Sequence, residues 1–109
     1  MLTETELRDL LGRDVLDREG KSIGNLETFF KDRDTGQPEW LGVYVSGLIR
    51  SHHRLIPARD AERDGTGIRV PWPKDKVGQA PEHGDPDRPI SEELEIRAYR
   101  HYGLDRTAV

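Results

Sequence analysis

The sequence predicts a mainly β fold: a small antiparallel β-barrel with a short N-terminal helix and a C-terminal helix. Three observations predict it. The densest apolar run, Pro38 to Ile49, alternates Trp40, Gly42 and Tyr44 with Leu41, Val43 and Val45, the two-residue period of a strand. Further short runs of strand-forming residues are separated by Gly, Pro and Asp at close intervals, as in small barrels. The two longer stretches with helical spacing lie toward the two ends of the chain.

In chain order, Thr3 and Glu6 fit a capping box, each side chain accepting an N–H that the first helical turn leaves unpaired. Leu7, Leu10 and Leu11 form the apolar face of that helix, and Gly12 ends it. Arg13 to Arg18 reads as a strand, Glu19-Gly20 as a tight turn, and Lys21 to Lys31 as a second strand in which Gly24 marks a bulge or bend. Asp32 to Pro38 is a turn, with Gly36 at its left-handed position. The central strand follows, from about Glu39 to Leu48. Because it is apolar on both faces, both faces need cover. Ser51 to Arg54 is a polar connection. Leu55 to Ala58 is a brief strand whose Pro57 requires an edge or terminal place. Arg59 to Gly67 reads as a charged segment ending in turn signals, and Ile68 to Val70 as a strand closed by Pro71-Trp72-Pro73. Lys74 to Gln79 forms one helical turn with Val77 inward. Ala80 to Pro89, with three prolines and a glycine, is a linker. Ser91 caps the last helix, Glu92 to Tyr102, whose Leu94, Ala98 and Tyr102 form a stripe widened by Tyr99.

The chain has 109 residues, of which 33% are hydrophobic and 35% charged, enough for one small core. Low hydrophobicity leads to disorder when net charge is high, but here 21 acids nearly balance 17 bases, and the apolar residues are clustered. The net charge of -4, with no basic block, makes nucleic-acid binding an unexpected role. The absence of cysteine excludes disulfides, thiol catalysis and cysteine zinc sites. The first residues carry no apolar leader, and no run approaches the ~18–20 apolar residues of a membrane span. The expectation is a cytoplasmic protein without direct membrane insertion.

The chemistry-bearing residues do not assemble into a known constellation. His52 and His53 are neighbours on extended chain and point to opposite faces, so a metal needs help from His83 or His101, and no ligand spacing is present. Asp14, Asp17, Asp32 and Asp34 read as turn-capping residues, since the calcium-loop ladder and its closing Glu are missing. Ser46 and Ser51 lack a nucleophile-elbow context, and no phosphate-binding glycine loop occurs. No catalytic, cofactor-binding or metal residue is therefore assigned, and no cofactor is expected. The candidate interaction surface is Trp40, Tyr44, Trp72, Leu94, Ala98, Tyr99 and Tyr102, with core packing as the alternative reading.

Several ordered pieces resemble the PRC-barrel domain: Leu11 to Gly20, Ile23-Gly24, Thr35 to Trp40, Ile56-Pro57, Val70-Pro71-Trp72, Lys74 to Val77, Ala80-Pro81, and Ile90 to Glu93 leading to Tyr102-Gly103. The tail looks like free-standing bacterial members. The resemblance implies a PRC-barrel core over residues 8–80, a linker over 81–90 and a C-terminal helix over 91–103. It also implies a scaffold rather than an enzyme. Relatives include the cytoplasmic part of the photosynthetic reaction centre H subunit and a ribosome maturation factor. The former's membrane helix and the latter's N-terminal domain are not in this sequence, so neither role carries over whole. The resulting expectation is a non-enzymatic protein-interaction or scaffold module that self-associates as a homodimer, its other partner being an unidentified protein. Accessory roles in RNA or ribosome processing, or in photosynthetic or membrane electron transfer, are the alternatives.

Overall fold

The computed structural model describes residues 2–47, 52–83 and 87–104. Its elements are α1 (Glu4–Asp9), β1 (Asp14–Leu16), β2 (Ser22–Lys31), β3 (Pro38–Val45), β4 (His53–Pro57), β5 (Glu62–Asp64), β6 (Gly67–Arg69), α2 (Lys74–Gly78) and α3 (Glu92–His101). The six strands make one sheet in the order β4-β3-β2-β1-β6-β5.

The expected antiparallel barrel is corrected on two points. β1 and β6 pair in parallel, while the other neighbours are antiparallel. The sheet is also not closed, because β4 and β5 are both edges. The topology supplies the reason. Taking the pairings in turn, β4 and β5 both run opposite to β1, so closure would require them to pair in parallel. They are joined by residues 58–61 alone, a tight turn in which Ala61 N–H donates to Ala58 C=O. A parallel pair needs a crossover of roughly a dozen residues or more. The sheet therefore stops at β4 on one side and at the three charged residues of β5 on the other.

The inner face of the sheet buries Val15, Ile23, Leu26, Leu41, Val43 and Val45 in one cluster with Leu7 of α1, Leu10 at its C-cap and Val77 of α2. The capping box forms as read, with Glu6 N–H donating to Thr3 Oγ1 and Thr3 N–H to Glu6 Oε1, both at 3.1 Å. Leu11 departs from the expected helix face: it lies beyond the helix and is exposed. The bounds of β3 and β4 differ from the sequence reading. β3 stops at Val45, β4 starts at His53, and Leu48 to Ser51 fall outside the described residues. β5 was not anticipated, because Glu62-Arg63-Asp64 carries no apolar alternation. As an exposed edge its charges discourage pairing with another chain.

β2 carries an extra residue at Ile23 opposite β1, the bulge that Gly24 signalled, and a second at Glu27 opposite β3. The second bulge turns Glu27 and Thr28 toward the outer face of the sheet, which a strict two-residue period forbids. Gly24 itself is needed for close approach: a Cβ there would collide with the Tyr44 carbonyl oxygen. Gly24→Ala is expected to lower stability by at least ~2 kcal/mol, the scale of overpacking against rigid backbone, whereas exposed Ser22→Ala stays within about 0.5 kcal/mol. Urea unfolding of both variants checks this, and equal midpoints would contradict it.

Candidate functional site

The outer face of β2, β3 and β4 is where chemistry-bearing residues gather. Its half nearest the C-terminus is covered by α3. Ser91 Oγ accepts from Leu94 N–H at 3.1 Å and starts that helix. Trp40, 1% exposed, lies edge-on to Tyr99 with ring centroids 4.8 Å apart, and it packs with Leu55, Ala98 and Tyr102. The Tyr102 hydroxyl donates to the Leu55 carbonyl on the outer edge of β4. That bond satisfies a buried hydroxyl and shields part of the sheet edge. Burial raises the Tyr102 pKa above the ordinary phenol value.

Next to this cover lies an imidazole cluster. His53 Nδ1 is 3.1 Å from Glu27 Oε2, close enough for an ion pair when the ring is protonated but not aligned as a hydrogen bond. The His53 and His83 rings are 5.8 Å apart, and His83 is buried with its ring edge-on to Phe30. Gly42 makes room for this packing, since a Cβ there would lie 3.1 Å from His83 Nε2 and 2.6 Å from Thr28 Cγ2. His52 stacks on Tyr44 at 4.8 Å, while His101 sits elsewhere, its Nε2 donating to Lys76 C=O at 2.7 Å. Two of the four histidines therefore converge. Among the described residues no group of three or more His, Cys, Asp or Glu side chains is placed to hold a metal ion.

A second cluster joins β3 to α3. Glu39 faces Glu95 and Tyr99 of α3 and Asp32 of the β2–β3 turn, beside a cavity of about 280 Å³ whose lining includes Arg59. Burial, hydrogen bonding with Glu95 and Asp32 and the Glu95 charge push the Glu39 carboxyl up to about 8. A half-buried carboxyl beside two others keeps its proton, because ionising it places like charges together in a poor solvent. Asp32 behaves oppositely. Its Oδ1 accepts from Thr35 N–H at 3.0 Å and Asp34 N–H at 2.7 Å, and those bonds lower its pKa, as expected of a turn-capping Asp.

A further cavity, about 780 Å³, is a groove between the end of α2, residues 78–82 and α3. Arg54, Arg97, Arg100 and His101 line it, with Glu82 the one acid among the described lining residues. Arg54 is fixed: Nε donates to Gly78 C=O at 3.3 Å and Nη1 to His53 C=O at 2.9 Å, while Nη2 is 3.8 Å from Glu82 Oε1.

Of the interaction surface expected from sequence, Trp40, Ala98 and Tyr102 are buried, and Trp72, Leu94 and Tyr99 pack against them. Tyr44 is 38% exposed at the end of β3. The structure thus brings six of the seven together, facing one another, and leaves Tyr44 outside. Sequence reasoning missed Glu39, Glu95 and the arginines of the groove. The motif Glu92-Glu93-Leu94-Glu95 places a carboxylate beside the Leu94 stripe, a signal for an acid near the helix interface. No comparable signal links Arg54 to Arg97.

The geometry defines a sheet scaffold with a docked helix and surface clefts. Residues 3–77 match the PRC-barrel domain family. The chain belongs to that family, whose members are non-catalytic protein-interaction domains. Comparison with curated proteins finds no match. Among solved structures, the chain is similar to a protein named as a 16S ribosomal RNA processing protein, RimM, from Pseudomonas aeruginosa. The TM-score is 0.47 at 19% identity, and the match covers 68% of this chain and 50% of that one. This chain therefore spans half the length of that relative. No helix of the described residues is long and apolar enough to cross a membrane.

The Glu39 cluster makes a pH prediction. Its folded pKa of about 8 lies above the ordinary 4.5, so between those values the folded chain holds a proton that the unfolded chain has lost. Stability contributed by the protonated carboxyl is then full below about 4.5 and falls as pH rises through about 8. Glu39→Gln keeps the shape and removes the titration. Urea midpoints measured from pH 5 to pH 9 are expected to fall less in the variant than in the parent. Parallel curves would contradict the assignment.

Proposed function

We propose that the chain is a non-enzymatic protein-interaction adaptor that works as a single folded unit. The observation that carries this reading is the cover on β3. Self-association was expected because that strand is apolar on both faces and two amphipathic helices were to spare. Within the chain, α1 joins the inner cluster and α3 the outer one, so neither apolar face calls for a second copy. Among the described residues the exposed large apolar side chains, Leu11, Tyr44 and Ile96, sit at separate places: after α1, on β3 and on α3. Scattered single residues of this kind do not make a dimer patch. In this reading Trp40, Trp72, Leu94, Ala98, Tyr99 and Tyr102 act by holding α3 in place, and Tyr44 is the one that meets solvent or partner.

Light scattering tests the proposal. A mass near 12.5 kDa from micromolar to hundred-micromolar concentration is expected. A constant mass of twice that value overturns it in favour of a homodimer.

An accessory role in RNA or ribosome processing is the second reading. The observation in its favour is the basic groove, where Arg54, Arg97, Arg100 and His101 meet in a chain of net charge -4. Phosphates are natural ligands for such a set. Salt-sensitive binding of a structured RNA, lost on reversing Arg97 and Arg100, supports it; no binding at low salt removes it. No feature among the described residues favours the electron-transfer reading.

A further inference from the structure

We infer that the groove between α2 and α3 receives an acidic peptide segment of a protein partner, with Glu82 standing where one of the partner's carboxylates docks. The inference rests on the adaptor reading and names the chemistry of its partner.

Four features converge. Arg54 has a side chain 9% exposed and is oriented by two backbone carbonyls, so its guanidinium edge toward the groove is preset rather than searching. Beside it stands a carboxylate, Glu82, at 3.8 Å. That distance is an ion pair without a tight hydrogen bond, and Glu82 is 53% exposed, so another carboxylate can replace it at little cost. Arg97 and Arg100 stand one helical turn apart on the exposed face of α3, and neither makes a hydrogen bond or ion pair among the described residues. His101 is held in position through Nε2 by the Lys76 carbonyl. Guanidinium groups bind carboxylates through paired, charge-assisted bonds, so one fixed and two free arginines suit a run of acidic side chains.

The shape selects the occupant further. At about 780 Å³ the groove is far larger than one small anion and suits an extended segment. Its walls are Gly78, Gln79, Ala80 and Pro81 besides the charged groups, and the one aromatic ring among the described lining residues, His101, is already edge-on to Tyr102 at 4.9 Å. Single-stranded nucleic acid stacks its bases on aromatic faces, and the described lining residues offer no free one. Glu82 and the net negative chain also repel a long phosphate backbone, whereas a short acidic peptide meets only the local field.

The test uses the full chain and two fluorescent probes, a hexaglutamate peptide and a short RNA hairpin, followed by anisotropy at low salt. The peptide is expected to bind, and the Arg97→Glu/Arg100→Glu variant to bind it at least about tenfold more weakly. Glu82→Gln should bind it about two- to fivefold more tightly, by removing the internal competitor. Arg13→Glu/Arg33→Glu makes the same change in net charge away from the groove and should leave affinity within about twofold. Equal losses in the two double variants overturn the inference, as do tighter binding of the hairpin than of the peptide and absence of peptide binding. Urea midpoints check that the variants stay folded, and Arg97→Gln/Arg100→Gln replaces the reversal if it does not. Light scattering on the same samples separates the two readings. A dimer that binds the peptide overturns only the single-unit proposal, and a monomer that does not bind overturns only the groove.

Discussion

Strand β3 carries large apolar side chains on both faces, in a chain that is only 33% hydrophobic. Leu41, Val43 and Val45 are fully buried on the inner face and Trp40 is 1% exposed on the outer one. Leaving either face in water would forfeit about 1.5–3 kcal/mol for each large side chain. A single layer of helices cannot cover both faces, so the chain assigns its two ends to opposite sides. α1 closes the inner cluster and α3 the outer one. The open sheet is compatible with this arrangement because α1 and α2 fill the inner side, so the cluster stays dry without a closing ladder.

The docking of α3 combines two kinds of interaction. Trp40, Ala98 and Tyr102 contribute apolar and ring contacts, with Tyr102 also bonded to the β4 edge. Glu39 and Glu95 contribute a polar contact that is favourable only while one of them holds a proton. The apolar part is indifferent to pH and the polar part is not. The same helix has acids in its first turn and Arg100 and His101 in its last, the arrangement that suits the helix dipole. Some of the basic charge in the groove therefore has a second cause, in helix stability. Arg97, in mid-helix, and Arg54, on β4, have no such explanation.

Much of the fold was legible because its signals are local. The Thr3–Glu6 box, the Ser91 cap, the Asp32 turn and the Val77 turn depend on residues three or four apart, and each forms. Alternation in β3 separated its two faces correctly. Closure of the sheet was misread because it depends on strand direction: the parallel β1–β6 pair joins residues about fifty positions apart and leaves no local trace. β5 was missed because an edge strand of Glu, Arg and Asp resembles a solvated loop. The bulge at Glu27 has no glycine to announce it, so the approach of Glu27 to His53 was hidden as well. The candidate site was less legible than the fold. Its residues are charged, come from segments some forty positions apart, and singly read as ordinary surface.

These two halves of the structure are not independent. Arg97, Arg100 and His101 of the groove ride on α3, while Arg54 belongs to β4. The groove exists only while the helix is docked, and the helix is docked because β3 needs its outer face covered. Packing that reads as purely structural thus sets the geometry of the charged surface. A substitution at Trp40 that loosened α3 would spread the arginines without touching one of them. The converse does not hold. Arg97 and Arg100 point away from the Trp40 cluster, so changing them alters the charge of the groove and leaves the cover in place. That asymmetry makes the surface arginines, rather than the aromatic residues that first drew attention, the positions where recognition can be separated from folding.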